Sequence, residues 1–131
     1  MVEAVDIAGT LQGLPVLHNR TPDTTEEEAA GAFATLAPFG NGGIFAGSFV
    51  GQSPWERHRN GDELVQILDG ATELTLMFDD GPQTLSLKAG MLAVVPQGTW
   101  HRFSAPDGVT VMTATPHPTD HTNAEDPREA G

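Results

Sequence analysis

Cysteine is absent from the 131 residues, which removes both a disulfide framework and thiolate chemistry. Basic residues are scarce as well. Six Lys and Arg stand against eighteen Asp and Glu, a formal charge of −12. Nucleic-acid phosphates need a basic surface, so this balance argues against nucleic acid as a partner. It equally disfavours an anionic membrane surface, and its plainest role is to keep the chain soluble. No apolar run approaches the roughly 18 residues of a membrane span. The N-terminus lacks the basic-then-apolar form of a signal peptide, so a cytoplasmic protein is the expectation. Serines occur, but none stands in a nucleophile elbow. The length suits one domain with one sizeable core.

What the chain does have is a dense run of short apolar segments punctuated by Gly and Pro. Residues 1–31 read as an N-terminal arm and a short helix. Ile7 to Leu17 carries scattered apolar residues and two glycines, which suits a short strand or an arm against a partner subunit. Thr24 or Thr25 can cap the helix, with a glutamate three residues on in either case. Its acids suit the positive end of the helix dipole, and a local cap without chemistry accounts for them. From residue 32 to 115 the pattern is β. Ala32–Ala37, Ile44–Val50, Leu64–Leu68, Thr72–Phe78, Gln83–Leu87, Met91–Val95, Trp100–Ala105 and Val109–Thr115 are short runs with turn residues between them. That spacing predicts an all-β sandwich or barrel. Residues 116–131 are polar and lack an apolar period, so a loose tail is expected, with His117 and His121 exposed in it.

Chemistry concentrates between Trp55 and Gly70. Glu56 and His58 are two residues apart, so an extended strand points both to one face. Asn60-Gly61-Asp62 turns the chain easily, and Glu63 opens the next strand. If the two strands pair, Glu63 returns beside Glu56 and His58. Downstream, Gly90, Pro96, Gly98, Trp100 and His101 read as turn, apolar strand, turn and a histidine at the start of another strand.

Together these two stretches resemble the cupin family, small β-barrels with one metal site inside. The family's second motif is Gly, five residues, Pro-x-Gly, two residues, His, three residues, Asn. Gly90, Pro96, Gly98 and His101 match it at every spacing, with Ala105 in place of the closing Asn. The first motif is Gly, five residues, His-x-His, three or four residues, Glu, six residues, Gly. Glu63 and Gly70 match it, while Glu56 takes the first histidine position and His58 the second, with Gly51 one residue out of place. The alternative register keeps Gly51 but puts Arg57 and Arg59 inside, where unpaired arginines are costly.

The resemblance covers roughly Ile44 to Thr115. It implies a double-stranded β-helix (jelly-roll) barrel, a homodimer, and metal ligation by Glu56, His58, Glu63 and His101. Glu56 has a second role open to it, as a catalytic base beside a three-ligand metal. Two imidazoles and one or two carboxylates suit a divalent transition metal, with Fe or Mn favoured and Zn, Ni or Co as alternatives. Candidates for the cavity lining are Phe45, Phe49, Val65, Ile67, Leu92, Val94, Phe103 and Met112; most of these are expected to be plain core, since parity alone does not say which of them border a cavity. Trp55 and Trp100 fall on the opposite face by alternation, which suggests a subunit contact. The leading expectation is an Fe- or Mn-dependent, dioxygenase-like oxidoreductase of a small organic substrate. Alternatives are a metal-dependent lyase or isomerase using a glutamate base, a non-catalytic ligand-binding or sensor cupin, and a metal-free acid–base catalyst.

Overall fold

Two long strands carry the fold, and the residues that bend them explain its shape. The computed structural model describes residues 2–130. Its elements are α1 (Ile7–Gln12), β1 (Leu17–Arg20), α2 (Glu26–Ala30), β2 (Phe33–Phe39), β3 (Gly42–Gln52), β4 (Trp55–His58), β5 (Glu63–Phe78), β6 (Gly81–Lys88), β7 (Leu92–Val95), β8 (Trp100–Pro116) and β9 (Thr119–Thr122), with a closing 3-10 turn at Pro127–Ala130. The all-β barrel with short N-terminal helical elements agrees with the sequence pattern. Among the described residues, no helix is long and apolar enough to cross a membrane.

β8 lies at the centre of the sheet order β1-β3-β8-β4-β9, and β5 joins it while also pairing with β6 and β7. The expected turns at Asp69-Gly70 and Pro106-Asp107-Gly108 are bends inside β5 and β8 rather than strand ends. The β5–β8 register shifts there, between Ile67 and Asp69 and between Gly70 and Glu73. Gly70 makes the bend with φ +74°, and a side-chain carbon on it would collide with the carbonyl oxygen of Gly108. Only glycine fits so close an approach of two backbones.

Alternation along the bent strands builds the core. Glu63, Val65 and Ile67 point inward on β5, as do Leu74 and Leu76 beyond the bend, and all are buried. The four apolar residues among them pack with Phe49, Leu87, Phe103 and Val111. Truncating such a side chain to alanine costs about 2–5 kcal/mol.

Several expectations are corrected. Residues from Ile7 form α1 rather than a strand, because the Asp6 side chain accepts from the Gly9 N–H at 3.0 Å and caps a helix start. α2 follows the capping-box prediction, with Thr25 at the cap and Glu28 reaching back to it. The tail is not loose throughout: Thr119–Thr122 forms β9 and pairs with β4. Leu92 and Val94 face out at 58% and 53% exposure, because Ala93 and Val95 are the inward members of β7. Trp55 and Trp100 do face away from His101, but they are not bare, at 2% and 7% exposed. Each is covered across the strand pair. The guanidinium of Arg102 lies 4.5 Å from the Trp55 ring and that of Arg57 lies 4.4 Å from the Trp100 ring, so cation–π stacking covers both rings within the chain.

Candidate metal centre

Three inward-facing residues from three strands converge. His58 ends β4, Glu63 begins β5 and His101 is the second residue of β8. β4 pairs with β8 and β9, not with β5, so Glu63 meets His58 across the barrel interior and not as a hairpin neighbour. All three side chains are buried. One atom from each lies within 4.8 Å of the other two, so the group could hold a metal ion.

The geometry inside the group is unusual. His58 Nε2 is 3.2 Å from Glu63 Oε2, and His101 Nε2 is 3.0 Å from Glu63 Oε1. These are ion-pair distances, yet His58 Nε2, His101 Nε2 and Glu63 Oε1 are buried without a hydrogen-bond partner. Buried polar atoms are normally satisfied, so three orphans around one point fit a cation between them.

Neighbouring groups fix their orientation. His101 Nδ1 is 3.0 Å from the Thr99 carbonyl oxygen, to which it donates, leaving the lone pair on Nε2. His58 Nδ1 is 3.0 Å from the Thr119 hydroxyl on β9. The Thr115 hydroxyl donates to Glu63 Oε2 at 2.6 Å, and Thr113 supports it at 2.7 Å. Outer partners of this kind orient metal-binding imidazoles and carboxylates. Burial alone would raise the Glu63 carboxyl, but the His101 and His58 imidazoles outweigh it and hold it at about 2. Burial opposes charge on His101, yet Glu63 and then Glu56 raise its pKa above the ordinary value.

Glu56 is the predicted site residue that the structure sets apart. It faces His101 in the β4–β8 register but stands outside the group of three. Its Oε2 lies 3.3 Å from His121 Nε2 on β9. Burial would raise its pKa, but the contact with His121 and the charge of His101 bring it below the usual carboxylate range. Arg57 and Arg59 lie outside, where both bond the Asp120 carboxylate.

The site opens into a cavity of about 630 Å³, within the range of small-ligand sites. Phe45, Phe49 and Phe103 line it as expected, joined by Phe33 and Val111. Val65 and Ile67 lie in the core instead, and Leu92, Val94 and Met112 are not among the lining residues. The sequence reading missed Arg20, Glu26 and His121 at the cavity and Thr115 behind Glu63. Thr115 carried a signal, since alternation from Val109 through Val111 and Thr113 puts it on the inward face.

A bent β-barrel with two histidines and a glutamate turned inward defines a class. The Cupin domain family model matches residues 50–116, just over half of the chain, and the chain belongs to the cupin family. The uncharacterized protein YdbB of Bacillus subtilis (strain 168) is 41% identical over 54 residues, which are 41% of this chain and 45% of that protein. The match therefore spans less than half of that relative. A cupin-2 domain protein from Shewanella frigidimarina superposes with TM-score 0.53 at 21% identity, covering 70% of this chain and 80% of that one. Hydroquinone 1,2-dioxygenase PnpCD, solved with Cd2+ and 4-hydroxybenzonitrile, gives TM-score 0.59 at 19% identity over 87% of this chain and 72% of its own. Hydroquinone 1,2-dioxygenase from Sphingomonas sp. TTNP3, with 4-hydroxybenzoate bound, gives 0.56 at 18% over 79% and 70%. At these identities the solved structures establish the fold.

Proposed function

We propose that this cupin is a metal-dependent enzyme acting on a small organic molecule, with a divalent first-row ion held by His58, Glu63 and His101. The observation that carries the reading is the trio of buried, unpartnered ligand atoms. Two histidines and one carboxylate with open positions is the arrangement of non-haem Fe(II) oxygenases, which favours iron or manganese. The likeness to two hydroquinone dioxygenases supports oxygenase chemistry without fixing the substrate. When bound, such an ion supplies Lewis acidity and a place for substrate or dioxygen oxygens to bind.

The chain's own residues do the rest. Thr99, Thr115 and Thr119 hold the three donors in place. The phenylalanine-lined cavity excludes water from an apolar substrate. Glu56, ionised and held by His121, is placed to take or return a proton at the cavity wall. That placement also favours a second reading, a lyase or isomerase in which Glu56 is the base.

Elemental analysis of untagged protein tests the metal. We expect about one ion per chain, lost in His101→Ala. No metal in the wild type, and none taken up on titration, rejects the metalloenzyme. Oxygen uptake by Fe(II)-loaded protein with hydroquinone and substituted phenols then separates the two readings: consumption supports the oxygenase, and turnover without it supports the lyase or isomerase.

A further inference from the structure

Arg20 is a cation without a counter-ion at contact distance. Arg57 and Arg59 bond Asp120, and Arg128 bonds Asp126. The Arg20 guanidinium makes no ion pair and no hydrogen bond among the described residues, and its Nε is buried without a partner. It is stacked instead, 4.6 Å from the centre of the Phe49 ring and 5.5 Å from that of Phe33. Stacking uses the face of a guanidinium and leaves its N–H edge free. Arg20 lines the same cavity as Glu56, His58 and Glu63.

A partly buried, unpaired cation carries a cost. Burial lowers the Arg20 pKa, and the charge of Glu56 offsets this only in part. Glu56 is engaged elsewhere: His121 lies between it and Glu26, at 3.3 Å and 2.7 Å. The backbone beneath Arg20 is equally specific. Asn19 adopts φ +56°, and Arg20 pairs with Gly51, whose φ is +123° and where a side-chain carbon would collide with the Arg20 carbonyl oxygen. Two uncommon conformations thus set the position of one side chain.

We propose that Arg20 is the anion subsite of the cavity and receives the carboxylate of a small aromatic substrate. The inference rests on reading the cavity as a substrate site, and it names the substrate class. The aromatic body follows from the walls: Phe49 lies 6.1 Å from Phe103, and Phe103 lies 6.3 Å from His101, ring centre to ring centre. These rings run in contact from Arg20 to the histidine–glutamate group, and Phe49 and Phe103 border the cavity. The planar fork of a guanidinium matches a carboxylate with two parallel hydrogen bonds.

Calorimetric titration with benzoate and benzamide, alike in shape and unlike in charge, tests this. Zinc-loaded and chelator-stripped protein are both used, for wild type, Arg20→Gln and Arg20→Lys. We expect wild type to bind benzoate about tenfold or more tightly than benzamide in both forms. Arg20→Gln should lose roughly 10- to 100-fold in benzoate affinity and keep that for benzamide. Arg20→Lys should restore part of the loss, since a point charge lacks the fork. Equal binding of the two ligands by wild type overturns the proposal, as does the absence of saturable benzoate binding. A benzoate preference seen only with zinc, and unchanged in Arg20→Gln, places the carboxylate on the metal and overturns it too. Should the protein take up no metal yet prefer benzoate through Arg20, the metal reading fails and the anion subsite stands. If Arg20→Gln does not fold, the wild-type preference and the Arg20→Lys variant decide.

Discussion

His121 Nε2 sits 3.3 Å from Glu56 Oε2, so the C-terminal strand supplies the partner of the interior carboxylate that the histidine–glutamate group leaves out. The same ring reaches Glu26 on α2 through Nδ1 at 2.7 Å. One imidazole therefore ties β9 to both β4 and α2. Its pKa is raised, chiefly by the contact with Glu56.

The pH dependence follows from the signs. A raised histidine stabilises fully below its ordinary value of 6.5 and loses that contribution as pH rises through its folded value. A lowered carboxylate stabilises fully above its ordinary 4.5 and loses that as pH falls through its folded value. The Glu56–His121 pair is thus strongest between those two pH values. Denaturant unfolding of wild type and His121→Gln should differ most in that window, by about 1 kcal/mol for a partly exposed pair. The difference should shrink on both sides. A difference that is flat from pH 4 to 9 removes the pair from the stability of the fold.

Glu56 and Glu63 should part company when each is changed to glutamine. Glu63→Gln removes the charge between two imidazoles, and metal content should fall to a small fraction of wild type. Glu56→Gln should keep its metal and lose about 100-fold or more in turnover, the ordinary scale for a proton-transfer group. Elemental analysis and steady-state rates on the same preparations give both numbers. The bound ion should also raise the melting temperature, since it binds only the folded chain, and chelation should reverse that rise. Loss of metal in Glu56→Gln would instead return Glu56 to the ligand set.

Thr119 and Thr115 act one step further out. Thr119→Val leaves His58 Nδ1 without its hydroxyl partner, and Thr115→Val leaves Glu63 Oε2 without its donor. Each should weaken metal affinity by about 10- to 100-fold, as measured by competition with a chelator. Both changes keep the side-chain shape, so circular dichroism should be unaltered. An affinity unchanged in both variants would mean that the donors are held by packing alone.

The barrel and its inward polar residues Glu56, His58, Glu63 and His101 were legible because they obey local rules. His101 sits at fixed spacing from Gly90, Pro96 and Gly98, and the two-residue alternation of Glu56 and His58 set their common face. The rest depended on contacts between distant parts of the chain. β9 is a polar tetrapeptide, Thr119-Asp120-His121-Thr122, with no apolar period to announce a strand. Its pairing is written in β4 instead: Glu56 opposite His121, Arg57 opposite Asp120 and His58 opposite Thr119. Leu92 and Val94 misled because β7 is apolar on both faces, so parity could not tell inside from outside. Arg20 looked like the polar end of an unremarkable segment, and only the parallel pairing of β1 with β3 brings it over Phe49.

Gly51 offers a way to move Arg20 without touching its charge. Its φ of +123° is strained for any side chain, and an added Cβ would meet the backbone of Arg20. Gly51→Ala should therefore destabilise the fold by about 1–3 kcal/mol, read from the urea midpoint. The collision can be relieved only by shifting β1 away from β3, which carries the guanidinium off the Phe49 ring. The variant should then lose benzoate affinity while binding zinc as wild type does, because His58, Glu63 and His101 lie on other strands. A destabilised variant that keeps full benzoate affinity would show that the position of β1 does not govern the anion, and that Gly51 serves the barrel alone.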